Sequence, residues 1–468
     1  MADPIDVEKL AAEVADSNFS NKRLNRRLHS IVVGLGKDPG ASLPRAFDSA
    51  GLEAAYRFFS NHSVEPADIL AAHFEATRAR AGELGDFLIA HDSTTFSYRY
   101  DGNREGLGRA KRSNPRSNQQ FFAHVSLAIS ADESHRPLGI AGFKTWSRLQ
   151  EATGTEYQRW EGQMNASSNQ LAARAHAIHL ADREADDYEM FYALKRDGHR
   201  FVVRCQHNRY LDEQPDKVKL RDRLATVSAS FEREVALCRR TERATDILRK
   251  IHPVRAKRMA TLKIAAVEVA LKKPPGRREH TNHPPASLAI NVVRVWEPDP
   301  PAGEVPIEWY LYTTEPIDTP EQQLKIVDYY RARWTIEEYF KALKTGCNFE
   351  SRQLQDYESL INLLAAFATI AYQLLLIRSE AARAPEQPAL ALGLVTDEQV
   401  DVLRALGRRK LSPIPTAREI FLAIAALGGH IKYAGNPGWL TLSRGHEKLA
   451  TLTEGWRAAK LQPSSDQR

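Results

Sequence analysis

Three acidic residues stand where a carboxylate could do chemistry rather than support the fold. Asp92 ends a strand-like apolar run, and Asp182 follows a second short apolar run, His176–Leu180. A strand-end aspartate can also simply accept hydrogen bonds from nearby backbone N–H groups, and position alone leaves both interpretations of Asp92 open. Asp182 lacks an obvious structural task, because Asp186 or Asp187 could cap the helix that follows.

The third acid, Glu337, lies on a polar stripe of a predicted helix. The segment Gln322–Lys344 contains no proline or glycine and is predicted to form one long helix. The residues spaced to share one face of that helix are Tyr330, Arg333, Glu337 and Lys344, with Trp334 and Lys341 close to the same face. Such a stripe cannot be a core face. It is either a solvated ladder of ion pairs, the usual meaning of such a pattern, or a face directed at a specific partner, which the flanking aromatic residues favour.

Two strand-end aspartates and a helical glutamate could together hold two Mg²⁺ ions. Carboxylate oxygens suit this hard cation. Two metal ions about 3.5–4 Å apart can stabilise both the attacking and the leaving oxygen of an in-line phosphoryl displacement. The surrounding cations could hold a phosphodiester backbone. The chemistry indicated is metal-dependent phosphoryl transfer on a nucleic acid.

The pattern of apolar residues predicts the elements that position these acids. The predicted strands are Phe87–Asp92, Phe121–Ile129, Pro137–Lys144, His176–Leu180, Phe201–Arg204, Met259–Leu271, Ser287–Trp296 and Trp309–Thr313. A helix is predicted from about Asp186 to Leu194. The β-branched stretches from Phe201 to Trp296 indicate a β-rich insertion. The first seventy or so residues and the tail from about Leu375 are predicted to be helical, and Thr416 and Glu419 form a capping box ahead of the apolar run Ile420–Leu427.

Length and composition narrow the class of protein. A chain of 468 residues should form two to four modules, and 65 Lys+Arg against 59 Asp+Glu, clustered locally, suggests a polyanionic partner. Three scattered cysteines and fifteen histidines without a metal-binding pattern argue against a zinc site, so the histidines are expected at the surface or against phosphate. No phosphate-binding loop for a nucleotide cofactor is present. The segment Leu360–Ile377 is predicted to be a buried core helix rather than a membrane span, and the acidic Met1–Asp16 does not resemble a signal peptide.

Several motifs resemble the insertion-sequence-four family of bacterial cut-and-paste DDE transposases. Asp182-Arg-Glu-Ala-Asp186 followed by Phe201-Val-Val-Arg204 is similar to the block around that family's second aspartate, and the Tyr330–Lys344 stripe is similar to its signature helix. Further similar segments, in order along the chain, are Ala55–Phe59, His91–Tyr98, Trp309–Pro316 and Gly438–Trp456. The stretches after Tyr100 and from Glu380 to Arg409 differ from the family pattern.

The resemblance implies a fold and a division into domains. The expected fold is α/β: an RNase H-like catalytic core with a β-rich insertion, flanked by helical N-terminal and C-terminal domains. The expected boundaries are 1–70 for DNA-end recognition, 71–374 for catalysis with the insertion at about 205–305, and 375–468 for dimerisation. Asp92, Asp182 and Glu337 would form the acidic triad and hold two Mg²⁺ ions, for which Mn²⁺ could substitute.

The resemblance also implies contacts with double-stranded DNA, both transposon ends and target. The residues expected to contact it are Tyr330, Arg333, Lys344, Lys341, Arg204, His207, Arg209, Trp309, Trp334, Lys22, Arg23, Arg26 and Arg27. The basic residues could equally be a solvated strand end or helix face, and the tryptophans could be core aromatics. The implied activity is end cleavage through a hairpin intermediate and joining of the 3′-OH to target DNA, by a cytoplasmic, nucleoid-associated homodimer. The alternatives are a related nuclease without strand transfer and a non-catalytic end-binding regulator.

Overall fold

The computed structural model describes most of the chain. The described residues are 13–14, 17, 19, 21–99, 102–111, 114, 116–149, 156–172, 174–214, 217–240, 253–275, 283–431 and 435–461. The segment Met1–Asp16, which does not resemble a signal peptide, lies almost wholly outside the described residues.

The described strands form one mixed sheet. They are β1 (Phe87–Tyr98), β2 (Gly108–Arg109), β3 (Gln119–Ser130), β4 (Pro137–Ser147), β5 (Ala177–Ala181), β6 (Arg200–Arg204), β7 (Phe231–Leu237), β8 (Arg258–Lys272), β9 (Ser287–Trp296) and β10 (Glu308–Thr313). Their order is β2-β3-β1-β5-β6-β10-β9-β8-β7, and β4 also pairs with β3. β1 is antiparallel to β3 and parallel to β5, and β5 is parallel to β6. Helices cover the sheet, so the predicted α/β class is confirmed.

The central strand β1 is longer than the sequence predicts. It was expected to end at Asp92, but it continues to Tyr98 and pairs with β3 along its whole length, from Phe87 opposite Ser130 to Tyr98 opposite Gln119. The polar residues after Asp92 are half-buried rather than part of a turn, and the β-branched Thr94 and Thr95 suit a strand. Asp92 therefore lies within a strand, and the expectation of a strand-end residue was wrong.

The predicted β-rich insertion extends the same sheet. β7, β8 and β9 lie within the expected range of about 205–305 and form an antiparallel meander. β10 then joins the meander to the core, because it pairs with β9 on one side and with β6 on the other. β10 thereby carries Trp309 beside Arg204, which ends β6.

Helices from the N-terminal and C-terminal parts of the chain, and from between the strands, pack around this sheet. They are α1 (Lys22–Lys37), α2 (Leu43–Ala46), α3 (Ser49–Phe59), α4 (Pro66–Gly82), α5 (Glu156–Leu171), α6 (Tyr188–Arg196), α7 (Leu220–Ala225), α8 (Pro320–Ala332), α9 (Trp334–Lys341), α10 (Tyr357–Arg383), α11 (Asp397–Leu406), α12 (Ala417–Leu427) and α13 (Trp439–Leu461). Thr416 and Glu419 form the predicted capping box at the start of α12. Residues of α1, α10, α12 and α13 share one large apolar cluster with the sheet. The terminal helices are thus packed into the same core as the strands.

The apolar helix α10 is the centre of that core. Within the described residues it is the one helix long and apolar enough to cross a membrane, and 94% of its most apolar window is buried inside the protein. The helix is tied to the N-terminal helices by its buried Asn362, whose amide donates to the carbonyls of Phe59 and Val64, both at 3.0 Å. The prediction of a core helix is confirmed.

Candidate active site

Strand register brings Asp92, within β1, level with Asp182, which lies just past the end of β5. β1 and β5 run parallel, with Leu88 opposite Ile178 and Ala90 opposite Leu180. Asp92 and Asp182 each lie two residues beyond that last pair. Asp92 Oδ1 accepts the backbone N–H of Ser93 at 2.8 Å. Its second oxygen is left for another partner.

The expectation that Asp182 has no structural task was wrong. Its Oδ1 accepts the backbone N–H of Glu184 at 2.9 Å and caps the short helical turn Arg183–Ala185. Asp187, one of the two residues predicted to cap the following helix, does so for α6. Its side chain accepts hydrogen bonds from the backbone N–H groups of Glu189 and Met190. This cap uses only Oδ1 of Asp182, so the other carboxylate oxygen remains available to bind a ligand.

The helix that carries Glu337 is interrupted at Arg333, where the sequence predicts a continuous helix. Arg333 keeps helical dihedral angles (φ −51°, ψ −32°), but it separates α8 from α9. The local backbone bonds shorten to the i, i+3 type, Arg333 N to Tyr330 O at 3.2 Å and Ile336 N to Arg333 O at 3.1 Å. A turn of π-helix, Ala342–Gly346, follows α9. These irregularities lie in the segment that faces β1.

Arg333 bridges two of the three acids. Its Nη1 lies 3.3 Å from Asp92 Oδ2, and its Nη2 donates to Glu337 Oε1 at 2.7 Å. The predicted proximity of Arg333 and Glu337 on one helix face is confirmed. Burial raises the pKa of Asp92 to about 7; Arg333 opposes this rise, and the nearby carboxylates of Asp182 and Glu337 add to it. Burial also raises the pKa of Glu337, against the effect of Arg333.

The three acids fit a divalent cation by chemistry. All donors are carboxylate oxygens, the ligand type that hard cations take. The pKa of Asp92 is raised by burial and, to a smaller extent, by the neighbouring carboxylates, and a bound cation would favour its charged form. Within the described residues no three acidic, histidine or cysteine side chains already converge on one point. The guanidinium of Arg333 supplies positive charge between Asp92 and Glu337 in the present arrangement.

Three of the predicted DNA-contacting residues form an aromatic and cationic cluster beside the acids. The rings of Trp309 and Tyr330 meet edge to face, with centroids 5.5 Å apart. The Arg204 guanidinium lies over the Trp309 ring, 5.7 Å from its centroid. Tyr330 is buried, whereas Trp309 and Arg204 are half-buried. Tyr330 also acts electrostatically on Arg333, which places this cluster next to the acids.

The remaining stripe residues point in different directions. Lys344 Nζ donates to Thr95 O at 2.6 Å and lies over the Phe96 ring, so it contacts β1 just beyond Asp92. Trp334 is 57% exposed and lines a groove with Arg331, Glu338 and Arg378. Lys341 lies over the Trp334 ring and donates to Glu338. Trp334 and Trp309 lie in different surroundings, because Trp334 lines this groove whereas Trp309 packs against Tyr330.

The stretch after β6 contains a structural ion pair rather than a row of available cations. Arg209 donates to Asp186 Oδ1 at 2.7 Å, and Asp186 also accepts the backbone N–H groups of Gln206 and His207. The Arg209 side chain is 9% exposed and that of Asp186 is 0% exposed. The Arg209 guanidinium neutralises a buried carboxylate, so its main partner in this structure is Asp186. The His207 side chain is exposed.

The four basic residues near the N-terminus lie at the start of α1. Lys22, Arg23, Arg26 and Arg27 are all exposed. The opposite face of α1 is buried through Leu28, Ile31, Val32 and Leu35. The helix is therefore anchored by its apolar face and presents its cations to solvent.

A buried chain of histidines was missed by the sequence interpretation, which placed histidines at the surface or against phosphate. His91 Nε2 lies 2.8 Å from His179 Nδ1, and His179 Nε2 lies 3.3 Å from His199 Nδ1. His91 Nδ1 also meets Ser126 Oγ, and Ser93 Oγ meets His124 Nδ1, both at 3.0 Å. The available signal was a histidine inside each of three predicted apolar strands. The network links β1, β3 and β5 directly behind Asp92.

Comparison with known proteins gives two family matches and a distant structural likeness. Residues 88–374, more than half of the chain, match the family described as the transposase DDE domain. Residues 8–64 match the family described as transposase DNA-binding. Among solved structures, a piggyBac transposase synaptic complex with hairpin DNA, determined by cryo-EM, has a TM-score of 0.36 and 10% sequence identity, covering 99% of this chain and 83% of that one. The structural likeness at that score supports no argument. The DDE domain implies an RNase H-like core, which confirms the predicted fold class.

Proposed function

This chain belongs to the DDE transposase family, and we propose that it is a cut-and-paste enzyme of the insertion-sequence-four type, close to the transposase of the transposon Tn-five. The proposed reaction is cleavage of transposon ends through a hairpin intermediate, followed by joining of the 3′-OH to target DNA. The observation that carries the proposal is that Arg333 joins Asp92 and Glu337, while Asp182 lies near enough to act electrostatically on both of these acids.

We propose Asp92, Asp182 and Glu337 as the acidic triad that holds divalent metal, with two Mg²⁺ ions per site and Mn²⁺ as a substitute. Bound Mg²⁺ would supply activation of the attacking oxygen and neutralisation of charge at the leaving oxygen. The role of Arg333 follows from its position: its guanidinium would turn from Asp92 and Glu337 toward the DNA phosphate when cations neutralise the acids. Lys344, held over β1, would place a second positive charge near the same strand of DNA.

The proposed DNA surface extends from this centre to the N-terminal helices. Arg204, Tyr330 and Trp309 lie next to the acids, and the exposed His207 lies beyond them. Lys22, Arg23, Arg26 and Arg27 present cations on α1, within the matched DNA-binding region. Exposed lysine and arginine residues bind phosphates with little cost of desolvation. Arg209 is left out of this surface because Asp186 holds it.

The proposal includes the arrangement of the whole chain. Residues 1–70 would recognise the DNA end, 71–374 would carry the chemistry, and 375–468 would pair two protomers on two ends. The protein would act in the bacterial cytoplasm on nucleoid DNA, with no nucleotide cofactor. Because α12 and α13 are part of the main apolar cluster, the pairing surface would be the exposed outer face of these helices rather than a separate module.

A cleavage and joining assay tests the proposed function. Labelled DNA that carries one terminal inverted repeat is incubated with the full chain, Mg²⁺ and an unlabelled target plasmid, and nicked, hairpin, blunt and joined products are resolved over time. We expect all four products in that order. Cleavage without joining would favour the nuclease alternative, and end binding without cleavage would favour the regulator. Omission of the metal should abolish every product.

Removal of the indole at Trp309 should slow the hairpin step selectively. A hairpin requires one nucleotide to leave the stack, and base–aromatic stacking contributes about 1–3 kcal/mol. We expect Trp309→Ala to nick at nearly the normal rate but to form hairpins at least about tenfold more slowly, since about 1.4 kcal/mol corresponds to one decade in rate. The same time course measures both steps. Equal slowing of nicking and hairpin formation, in a folded variant, would contradict a base-receiving role.

A further inference from the structure

A second aromatic cavity lies beside the acids, on the side of the β3–β4 hairpin. Its volume is about 750 Å³, and its lining includes Ser93 and Thr94, which follow Asp92, as well as Glu184, which follows Asp182 by two residues. Trp309 and Tyr330 form a separate cluster on β10 and α8. A volume of this size is within the range of small-molecule sites, roughly 300–1,000 Å³, and is ample for one nucleotide.

The wall of this cavity consists of two stacked aromatic rings and two arginine side chains. The Phe122 and Trp146 rings are stacked, with centroids 5.5 Å apart and an interplanar angle of 14°. The Arg148 guanidinium lies over Phe122 at 5.6 Å, and the Arg159 guanidinium lies over Trp146 at 5.4 Å. Both rings are only half-buried. Aromatic rings and guanidinium planes are the surfaces on which proteins stack unpaired bases.

The floor of the cavity contains a buried imidazole. His124 is buried, and its Nδ1 meets Ser93 Oγ at 3.0 Å. The His124 ring also packs edge to face with Trp160, with centroids 4.6 Å apart. The floor therefore adds a further flat group to the cavity, and a nucleobase is a flat ligand that suits such a lining.

We propose that this cavity receives an unpaired nucleobase of the DNA strand that passes Asp92, stacked against the Phe122–Trp146 wall with its edge toward His124. Arg148 and Arg159 would bind the flanking phosphates. This inference rests on the proposed function and adds to it a base-binding position distinct from that at Trp309. A base within a duplex cannot enter such a cavity, because both of its faces are covered by neighbouring base pairs.

The experiment compares two DNA probes in an uncleaving Asp182→Asn background. One probe is a fluorescein-labelled terminal-repeat duplex with a single unpaired nucleotide at the cleavage position, and the other has an abasic residue there. We expect the background protein to bind the first probe about tenfold more tightly. Trp146→Leu should bring the ratio close to one. Trp296→Leu is the matched control, because Trp296 also lies under an arginine, Arg294 at 4.4 Å, but on β9.

A second variant keeps the test independent of the folding of Trp146→Leu. Arg159→Gln should lower the slope of log Kd against log salt concentration by about one, because one phosphate contact is lost. Unchanged discrimination in Trp146→Leu, or an unchanged salt slope in Arg159→Gln, would overturn the base-binding cavity while leaving the proposed function intact. A background protein that binds neither probe would instead overturn the proposed function, and this inference with it.

Discussion

Asp92→Asn, Asp182→Asn and Glu337→Gln are each expected to reduce end cleavage by about 1,000-fold or more and to leave end binding within a few-fold of the normal affinity. Each amide keeps the size of the acid but removes a charged ligand for the metal. A loss of 1,000-fold corresponds to about 4 kcal/mol in the barrier. Binding should persist because the cations of α1 and β6 remain. Single-turnover cleavage and a gel-shift titration on the same DNA measure the two effects.

Neighbouring acids provide matched controls for these three variants. Glu338 follows Glu337 on α9 but pairs with Lys341 and accepts from Trp439 Nε1 at 3.1 Å, so Glu338→Gln should cleave nearly normally. Asp186 lies four residues after Asp182 but is fully buried with Arg209, so Asp186→Asn should lower stability and impair binding and cleavage together. Near-normal cleavage by any triad variant in Mg²⁺ would contradict the assignment.

Asp92→Asn should also have an unusual effect on the stability of the fold, because most substitutions of a buried residue are destabilising. Burial and the neighbouring acids raise the pKa of Asp92 to about 7, from an ordinary value near 4. A carboxyl whose pKa is raised on folding destabilises the folded state at neutral pH, because ionisation is easier in the unfolded chain. Asp92→Asn should therefore raise the thermal midpoint of the metal-free protein while it abolishes cleavage. A residue kept at a cost to stability is consistent with a functional role.

The elements that sequence could predict are those determined by local pattern. The strand Ser287–Trp296 was predicted with the bounds of β9, and the capping box at Thr416 was predicted from two residues and is present. Alternation of apolar residues and the identity of capping residues are local signals. The pairing of Arg333 with Glu337 followed from helical spacing alone.

Other features depended on partners far away in the sequence. β1 continues past Asp92 because β3 pairs with it to Tyr98, and no local signal records that pairing. Arg209 becomes structural because Asp186, distant by more than twenty residues, is buried with it. Trp309 packs against Tyr330 whereas Trp334 lines a separate groove, and helical spacing alone does not show which surface each ring meets. These outcomes are set by tertiary packing.

The buried histidines should make the fold sensitive to acid. Burial lowers the pKa of both His124 and His179 to about 3, and burial together with its histidine neighbours holds that of His91 well below its usual range. In the unfolded chain an imidazole has a pKa near 6.5. Below that value the unfolded chain binds protons that the fold excludes, so stability falls as pH decreases. Between pH 7 and pH 5 each of His124 and His179 should cost about 2 kcal/mol in the free energy of unfolding.

His179→Gln should separate this proton linkage from loss of packing. At pH 7 the variant should be less stable than the wild-type chain, because bonds to His91 and Ser168 are lost. Between pH 7 and pH 5 its free energy of unfolding should fall by about 2 kcal/mol less than that of the wild-type chain, because the variant lacks an imidazole that takes up a proton only when the chain unfolds. Urea unfolding at pH 7, 6 and 5 measures this, with His62→Gln, at an exposed position, as the control. A pH dependence of His179→Gln parallel to that of the wild-type chain would contradict the linkage.

The buried histidines lie next to Asp92 and Asp182, so protonation of the histidines would also affect these two acids. His91 on β1 and His179 on β5 meet at 2.8 Å; Asp92 follows His91 on β1, and Asp182 lies just past the end of β5. The hydrogen bond between two neutral imidazoles requires that one ring donate and the other accept. Protonation of both rings would break it and place two positive charges in contact inside the sheet. Strands β1 and β5 would then lose the contact that lies just behind the two aspartates. Acid should therefore loosen the spacing of the acidic pair together with the core.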